Sequence, residues 1–276
     1  MNDSTVSFGP FSFATSAWIR RRVIWNLAKR EVTGRYRGSL LGMSWTLLNP
    51  LLTLAVYTFV FGSIFNARWG TGSHPVGKAE FAVTLFIGLI VFQFFAECLI
   101  KSTQIMIVNK NYVKKAIFPT EALPVAMTGA AAFHFAMSFI VFLVFSTIAF
   151  GSIKWTVVFV PLVFLPLALV VLGAVWILSA IGAVVRDLDQ LIGFITTAML
   201  FLSPVFYPLS AVPGSVRRVF LANPLTLIIE QMRVVTIAGQ PPDGYALGIY
   251  ALAGLASSWL GYSVFMKSKK EIAEIL

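Results

Sequence analysis

Residues 81–101 read FAVTLFIGLIVFQFFAECLIK. A helix of about 20 such residues is long and apolar enough to cross the roughly 30 Å hydrocarbon core of a bilayer. Its strongly polar residues are Gln93, Glu97 and Lys101. Their spacing, i, i+4 and i+8, puts them on one face. An intramembrane carboxylate is by default a functional hypothesis. Glu97, however, stands one helical turn from Lys101 near the end of the run, so a pair that snorkels to the interface accounts for it without a proton relay.

Taking this stretch as a span sets the class of the chain, because the pattern recurs. Segments 40–65, 124–150, 156–185 and 245–266 also qualify. A sixth, 190–207, is shorter and ends at Pro204 and Pro208. The expectation is an all-α integral membrane protein with six transmembrane helices and both termini on one side. Composition agrees: 58% of residues are hydrophobic and 12% charged, about half the charged fraction of a soluble domain. A net charge of +10 suggests nucleic acid in a soluble chain. In a membrane protein it is the signature of basic cytoplasmic loops, and no nucleic-acid partner is expected.

Counting Lys and Arg by side orients the spans. One side carries 15, from Arg20, Arg30, Arg35, Arg37 and their neighbours through Lys114 and Lys115 to Lys267, Lys269 and Lys270; the other carries 6. The positive-inside rule places the richer side, with both termini, in the cytoplasm. That orientation disposes of a nucleotide-site look-alike. In GSHPVGKA (72–79), Gly72, Gly77 and Lys78 have P-loop spacing, but Ala79 replaces the magnesium-binding Ser or Thr and Pro75 removes a backbone donor. The loop also falls outside the cell membrane, where there is no ATP. The start, MNDSTVSFGPFSF, lacks the features of a signal peptide, so no cleaved segment is expected.

Three further stretches are not simple spans. AWIRRRVIWNLAKREVTGRYRG (17–38) places Trp18, Trp25, Ala28, Val32 and Tyr36 on one helical arc and Arg22, Lys29, Arg30, Thr33 and Arg37 on the next. That is the pattern of a helix lying in the membrane interface; lipid anchor and moving part are compatible roles. NKNYVKKAIFPTEALP (109–124) sets Ile117, Phe118 and Pro119 beside Lys114, Lys115 and Glu121. Apolar residues rimmed by charge suggest a docking surface, and a loop kept only for topology is the competing reading. SPVFYPLSAVPGSVRRVFLANPLTLIIEQMR (203–233) holds Pro204, Pro208, Pro213 and Pro224, which no unbroken helix accommodates. Asn223-Pro224 has the form of an N-cap and first helical residue. Broken helices dipping into the outer leaflet fit a stretch too apolar for a water-exposed loop, either lining a path or packing as a cap.

Chemistry is sparse. Cys98 is the lone cysteine, so no internal disulfide or thiolate cluster exists. His74 and His134 have no partner identifiable from spacing, and no metal-ligand pattern is present. Asp187 and Asp189 follow Arg186, which suggests an interfacial ion pair. No catalytic constellation or cofactor site is expected. A secondary transporter would need ionisable residues near mid-membrane and usually internal repeats, and neither is found.

REVTGRYRGSLLGMSWTLLNPLLTLAVYTFVFGSIF (30–65), VVRDLDQLIGF (184–194) and the 203–233 stretch together resemble the membrane subunit of ABC-2 type polysaccharide exporters. Within that group the chain is most similar to Wzm-type O-antigen (lipopolysaccharide) export permeases, near those of teichoic acid and capsule. The resemblance implies two units, a cytoplasmic tail with interfacial helix over 1–38 and a six-helix ABC-2 domain over 39–276. It implies a homodimer in the bacterial inner membrane, working with two copies of a separate ATPase that holds ATP and magnesium. The substrate implied is a polyprenyl-linked polysaccharide, with a small-molecule permease as the more distant alternative. Lys114, Lys115, Ile117, Phe118, Pro119 and Glu121 would couple to the ATPase. Trp18, Trp25, Arg30, Arg35 and Arg37 would belong to the interfacial helix. The breaks at Pro204, Pro208, Pro213 and Pro224 would form paired re-entrant helices. Trp45, Tyr57, Phe201 and Tyr207 would line the channel, with lipid or helix packing as the competing role for each aromatic.

Overall fold

A computed structural model describes residues 12–60, 78–114 and 118–276, and these form helices and turns without strands. Four helices are long and apolar enough to cross a membrane: α4 (Lys78–Ser102), α7 (Ala122–Phe150), α8 (Val160–Gly182, extended by a 3-10 turn from Trp155) and α12 (Gly244–Ile275). Two helices at expected span positions are shorter. The segment expected at 40–65 enters through a 3-10 turn and forms α3 (Trp45–Phe59), whose continuation lies outside the described residues. The segment expected at 190–207 forms α9 (Leu188–Phe201), 14 residues or about 21 Å long. It stops at Leu202, before the two prolines, where the chain turns into an irregular connection.

The quoted span is the centre of the bundle. Its most apolar window is 78% buried, against 28–33% for the other three long helices. Those three therefore show much of their surface to the surroundings, as lipid-facing helices do, whereas α4 is enclosed by α3, α7, α8, α9 and the short helix α11 (Pro224–Arg233). Phe94 packs edge-on to Phe135 and Phe164 with centroids 6.3 and 4.7 Å away, joining α4 to α7 and α8.

Small residues let the third and last of the long helices, α8 and α12, come together. A Cβ on Gly173 would collide with the backbone of Ser257, and one on Gly261 with the carbonyl of Gly173. Close approach also brings Ser257 Oγ within 3.1 Å of the Val170 carbonyl and Ser258 Oγ within 2.7 Å of the Leu169 carbonyl. Without a hydrophobic drive between helices in lipid, such packing and hydrogen bonding hold spans together.

The amphipathic N-terminal segment is two helices, α1 (Ser12–Ile19) and α2 (Arg21–Arg35), bent at Arg20. Helix α2 lies against α7, burying Leu27 and Val32, with Ala28 facing Gly129. Trp18 and Trp25 are both 70% exposed. The helix ends at Arg35, short of the expected residue 38, and Gly38 and Gly42 take positive φ (86° and 49°) to turn the chain into α3. Helix α12 runs nine residues past the expected end at 266. Hydropathy stops at the first lysine, but charged residues remain good helix formers and Lys269 has a partner in the bundle.

Overpacking at a closed helix contact typically costs about 1–3 kcal/mol. Gly261→Ala is therefore expected to lower the thermal unfolding midpoint of the purified protein in detergent. Gly248→Ala on the same helix, where a Cβ meets nothing within 4 Å, is expected to leave it unchanged or raise it.

Candidate functional site

Three polar assemblies are set around the bundle, two at the end rich in lysine and arginine and one at the opposite end. At the basic end the loop expected to dock a partner is partly internal. Glu121 is 3% exposed and forms ion pairs with Arg20, at the α1–α2 bend, and with Lys269 of α12 at 3.0 Å. Its carbonyl accepts from the indole N–H of Trp176 at 3.4 Å, and Trp176 packs edge-on to Phe13 and Tyr262. One carboxylate thus joins the two ends of the chain to the start of α7. This differs from the exposed position expected for Glu121: two cations from distant segments converge on it, which sequence spacing does not show.

Phe118 is half-buried and packs against Tyr112 with centroids 4.9 Å apart and rings tilted by 45°, and Pro119 is half-buried beside it. Lys114 is exposed; Lys115 and Ile117 lie outside the described residues. Tyr112 belongs to α6 (Lys110–Val113), which follows α5 (Ile105–Val108). Arg30 of α2 donates to the Tyr112 hydroxyl at 2.7 Å and to Asn109 Oδ1 at 2.9 Å, with its guanidinium 4.8 Å above the Tyr112 ring. Helix α2 and the loop are therefore tied through a single arginine. The expected ion pair at Arg186 is not formed among the described residues; Asp189 instead accepts from Gln104 Nε2 at 2.9 Å.

The second assembly is the polar row of α4, and here the structure corrects the simple snorkelling pair. Glu97 does meet Lys101 at 3.1 Å. It also meets Arg35 of α2 at 2.8 Å and His134 Nδ1 of α7 at 3.0 Å. Lys101 reaches on to Glu31 of α2 at 3.0 Å. His134, without an identifiable partner in sequence, finds one through the antiparallel packing of α4 and α7.

Beside this network lies a cavity of 570 Å³ between α2, α3, α4 and α7. Trp45, Asn49 and Thr53 of α3 line it, and so do Gln93, Glu97 and Lys101 of α4. Each trio is spaced i, i+4, i+8, so two polar stripes face one another across the space. Trp45 is one of the four aromatics expected to line a path. Its indole N–H donates to Ser39 Oγ at 2.9 Å, which fixes the ring.

The other three expected aromatics gather at the far end, about 18 Å further along α3 by helical rise. Tyr57 and Phe201 each approach Phe206 with centroids 6.0 Å apart, bridging α3 and the end of α9. Tyr207 donates to the Phe201 carbonyl and packs edge-on to Phe220. Phe206 completes the group and sequence reading missed it; its place between Val205 and Tyr207, just after Pro204, was the available signal.

Around this cluster the chain breaks as the prolines require. Pro204 is buried, Pro208 half-buried and Pro213 exposed. Helix α10 (Arg217–Ala222) leads to Asn223, whose side chain caps α11 by accepting from Leu225 N at 2.9 Å, with Pro224 as the first helical residue. Asn223 also donates to the Leu202 carbonyl and to Ser203 Oγ, both at 2.9 Å. Arg233 ends α11 almost fully buried, donating to the carbonyls of Thr84 at 3.3 Å and Val205 at 3.0 Å and to Glu230 at 3.0 Å. This clamps α11 to the central helix, beside Gly88.

Two substitutions test the basic-end geometry. Glu121→Ala leaves Arg20 and Lys269 facing a dry pocket; since both side chains are about one-third exposed, the expected loss is about 1–3 kcal/mol, below the roughly 3–5 of a fully buried pair. Thermal unfolding reads it. Glu97→Gln is expected to speed hydrogen exchange across Arg21–Arg35 while α8 and α12 keep their protection.

Comparison with known proteins matches residues 22–237 to the family model described as ABC-2 type transporter. The chain is 29% identical over 257 residues, 92% of its length and 95% of the relative's, to the O-antigen export system permease protein RfbA of Myxococcus xanthus. It is 27% and 24% identical to two Klebsiella pneumoniae proteins of the same name, over 91% of this chain and 93% of each relative. The matched region runs from α2 through Glu121 and the Glu97 network to the clamp at Arg233, and the chain belongs to the ABC-2 type transporter family of membrane proteins.

Proposed function

We propose that this chain is the permease subunit of an ATP-driven exporter that moves a lipid-linked O-antigen polysaccharide across a bacterial inner membrane. One observation carries the reading: likeness over nine-tenths of the chain to three relatives with the same printed role. The chain crosses the membrane six times, with α3 and α9 as the short first and fifth crossings. The excess of basic residues at one end supports a cytoplasmic position for that end and for both termini.

ATP is bound and hydrolysed by a separate ATPase, present in two copies beneath a permease homodimer. The 114–121 loop receives its push. Glu121 passes the displacement to α1, α2 and α12, because a buried carboxylate held by both cations resists separation from either. Arg30 carries the same motion into α2 through Tyr112 and Asn109. Exposed apolar side chains on α3 (Leu47, Leu51, Val56) and α9 (Leu191, Phe194, Phe201) support a pairing face and a shared path along these helices. Helices α10 and α11 dip into the outer leaflet as a re-entrant pair, and the Arg233 clamp, reaching the Thr84 carbonyl, supports that depth.

Trp45 and the Tyr57, Phe201, Tyr207 group mark two ends of the route, offering flat apolar faces that a sliding sugar chain leaves as easily as it meets. Depleting the protein in its native host tests the proposal. A long polymer on a polyprenyl carrier should build up inside while the surface loses it. The polymer's composition separates O-antigen from teichoic acid or capsule. Unchanged surface and internal glycans would rule polysaccharide export out and leave small-molecule export as the reading to test.

A further inference from the structure

Helices α1 and α2 do not close fully on α7. A groove of 390 Å³ runs between them, walled by Ala17 and Trp18 of α1, Arg21, Trp25 and Ala28 of α2 and Gly129 of α7. Small residues keep it open: Gly129 is exposed, and within 4 Å a Cβ there would meet only the Cβ of Ala28, at 3.9 Å. Trp18 and Trp25 line the groove while staying 70% exposed. Gly129 also starts a face of α7 that continues at helical spacing through Ala136, Ile140 and Val144, all exposed. On a helix long and apolar enough to cross a membrane, such a face is covered by acyl chains, and the pairing face proposed on α3 and α9 lies on other helices. The groove therefore opens onto the hydrocarbon side of α7.

Its walls narrow the occupant. Arg21 carries the only charge among the lining residues. Water needs two to four polar partners to settle in a cavity, so an apolar segment fills this one better. One end is cationic. The Arg21 guanidinium lies 4.9 Å from the Trp18 ring centroid and donates to the Trp18 carbonyl at 3.1 Å, but it forms no ion pair among the described residues. Arg22 beside it is exposed and equally without an ion pair among them. Their neighbour Arg20 is matched by Glu121, the residue just before α7. The unmatched cations thus sit at the start of α7, and Gly129 lies about 12 Å further along that helix by helical rise. A free phosphate has no use for the apolar groove, and a neutral phospholipid offsets its phosphate with its own ammonium. A lipid with a net negative head and a hydrocarbon chain uses both parts.

We propose that this groove is a site for one anionic phospholipid, with an acyl chain lying over Gly129 between α2 and α7 and the phosphate on Arg21. The site is more than adsorption of an amphipathic helix to a charged surface. It wedges a lipid into the joint between the N-terminal helices and the bundle, beside the Glu121 ion pairs. It does not depend on what the protein exports.

Native mass spectrometry tests it on the full-length protein, with any ATPase that copurifies, in detergent with added dioleoyl phosphatidylglycerol or dioleoyl phosphatidylcholine. One phosphatidylglycerol per chain is expected to bind about tenfold more tightly than phosphatidylcholine. Gly129→Leu and Ala17→Leu each put a large side chain into the groove and should weaken that binding at least about tenfold. Arg21→Ala should bring the two lipids within about threefold of each other. Gly248→Leu adds the same side chain at an exposed glycine of α12, where a Cβ meets nothing within 4 Å, and should change nothing. Thermal unfolding without added lipid shows which variants are folded, and Arg21→Ala, at an exposed side chain, carries the test where a filling variant is not. Equal binding of the two lipids by the unaltered protein, or phosphatidylglycerol binding indifferent to the folded variants, would overturn the site. Undecaprenyl phosphate that displaces phosphatidylglycerol and is itself blocked by Gly129→Leu would overturn it too, making the groove a site for a polyprenyl carrier.

Discussion

Glu97 is the point on which the basic half of the structure depends. It sits on the most enclosed helix with its side chain 17% exposed beside the cavity, so protein supplies most of its compensating groups. Arg35, Lys101 and His134 do so from α2, α4 and α7 at 2.8–3.1 Å. The need to neutralise one buried charge therefore draws a surface helix and two spans together. The chain leaves α2 just after Arg35 and turns at Gly38. The cavity beside the network is bounded by α2, α3, α4 and α7.

The same logic operates twice more. At the start of α7, Glu121 is nearly inaccessible and gathers Arg20 and Lys269; at the opposite end, buried Arg233 gathers two backbone carbonyls and Glu230. In a soluble protein, apolar burial would provide most of the adhesion between these elements. Between helices in lipid that drive is absent, and close glycine contacts and polar joints take its place. The joints differ in what they can transmit. Glu121 joins the start of α7 to Arg20 at the α1–α2 bend and to Lys269 of α12, which under the proposed function is the route of the ATPase's push. Arg233 links a short helix to the interior of α4, so it holds α11 at a set depth.

Much of this was legible in the residues. Hydropathy found the four long helices to within a few residues at most ends, and Asn223-Pro224 predicted the start of α11 with its cap. Proline placement foretold that 203–233 would break. Reading went astray where geometry, not local chemistry, decides. Helix α2 ended three residues early, with the chain turning through Gly38 at positive φ, and α12 ran on with Lys269 paired to a residue 148 positions away. Phe206 went unnoticed because its importance lies in standing between Tyr57 and Phe201.

The sequence by itself determined class, spans and charge asymmetry, since each depends on the free energy of transferring short segments between water and hydrocarbon and so is written residue by residue. It also determined that Gln93, Glu97 and Lys101 share a face, because helical periodicity is local. Only the tertiary structure decided what that face meets. Antiparallel packing of α4 on α7 gave Glu97 a histidine, the last residue of α2 gave it an arginine, and the packing of α3 on α4 put Asn49 and Trp45 on the same cavity as Gln93. Those pairings join residues tens of positions apart, and no local pattern encodes them; they exist because a charge buried in a membrane must find its partner wherever the fold brings one.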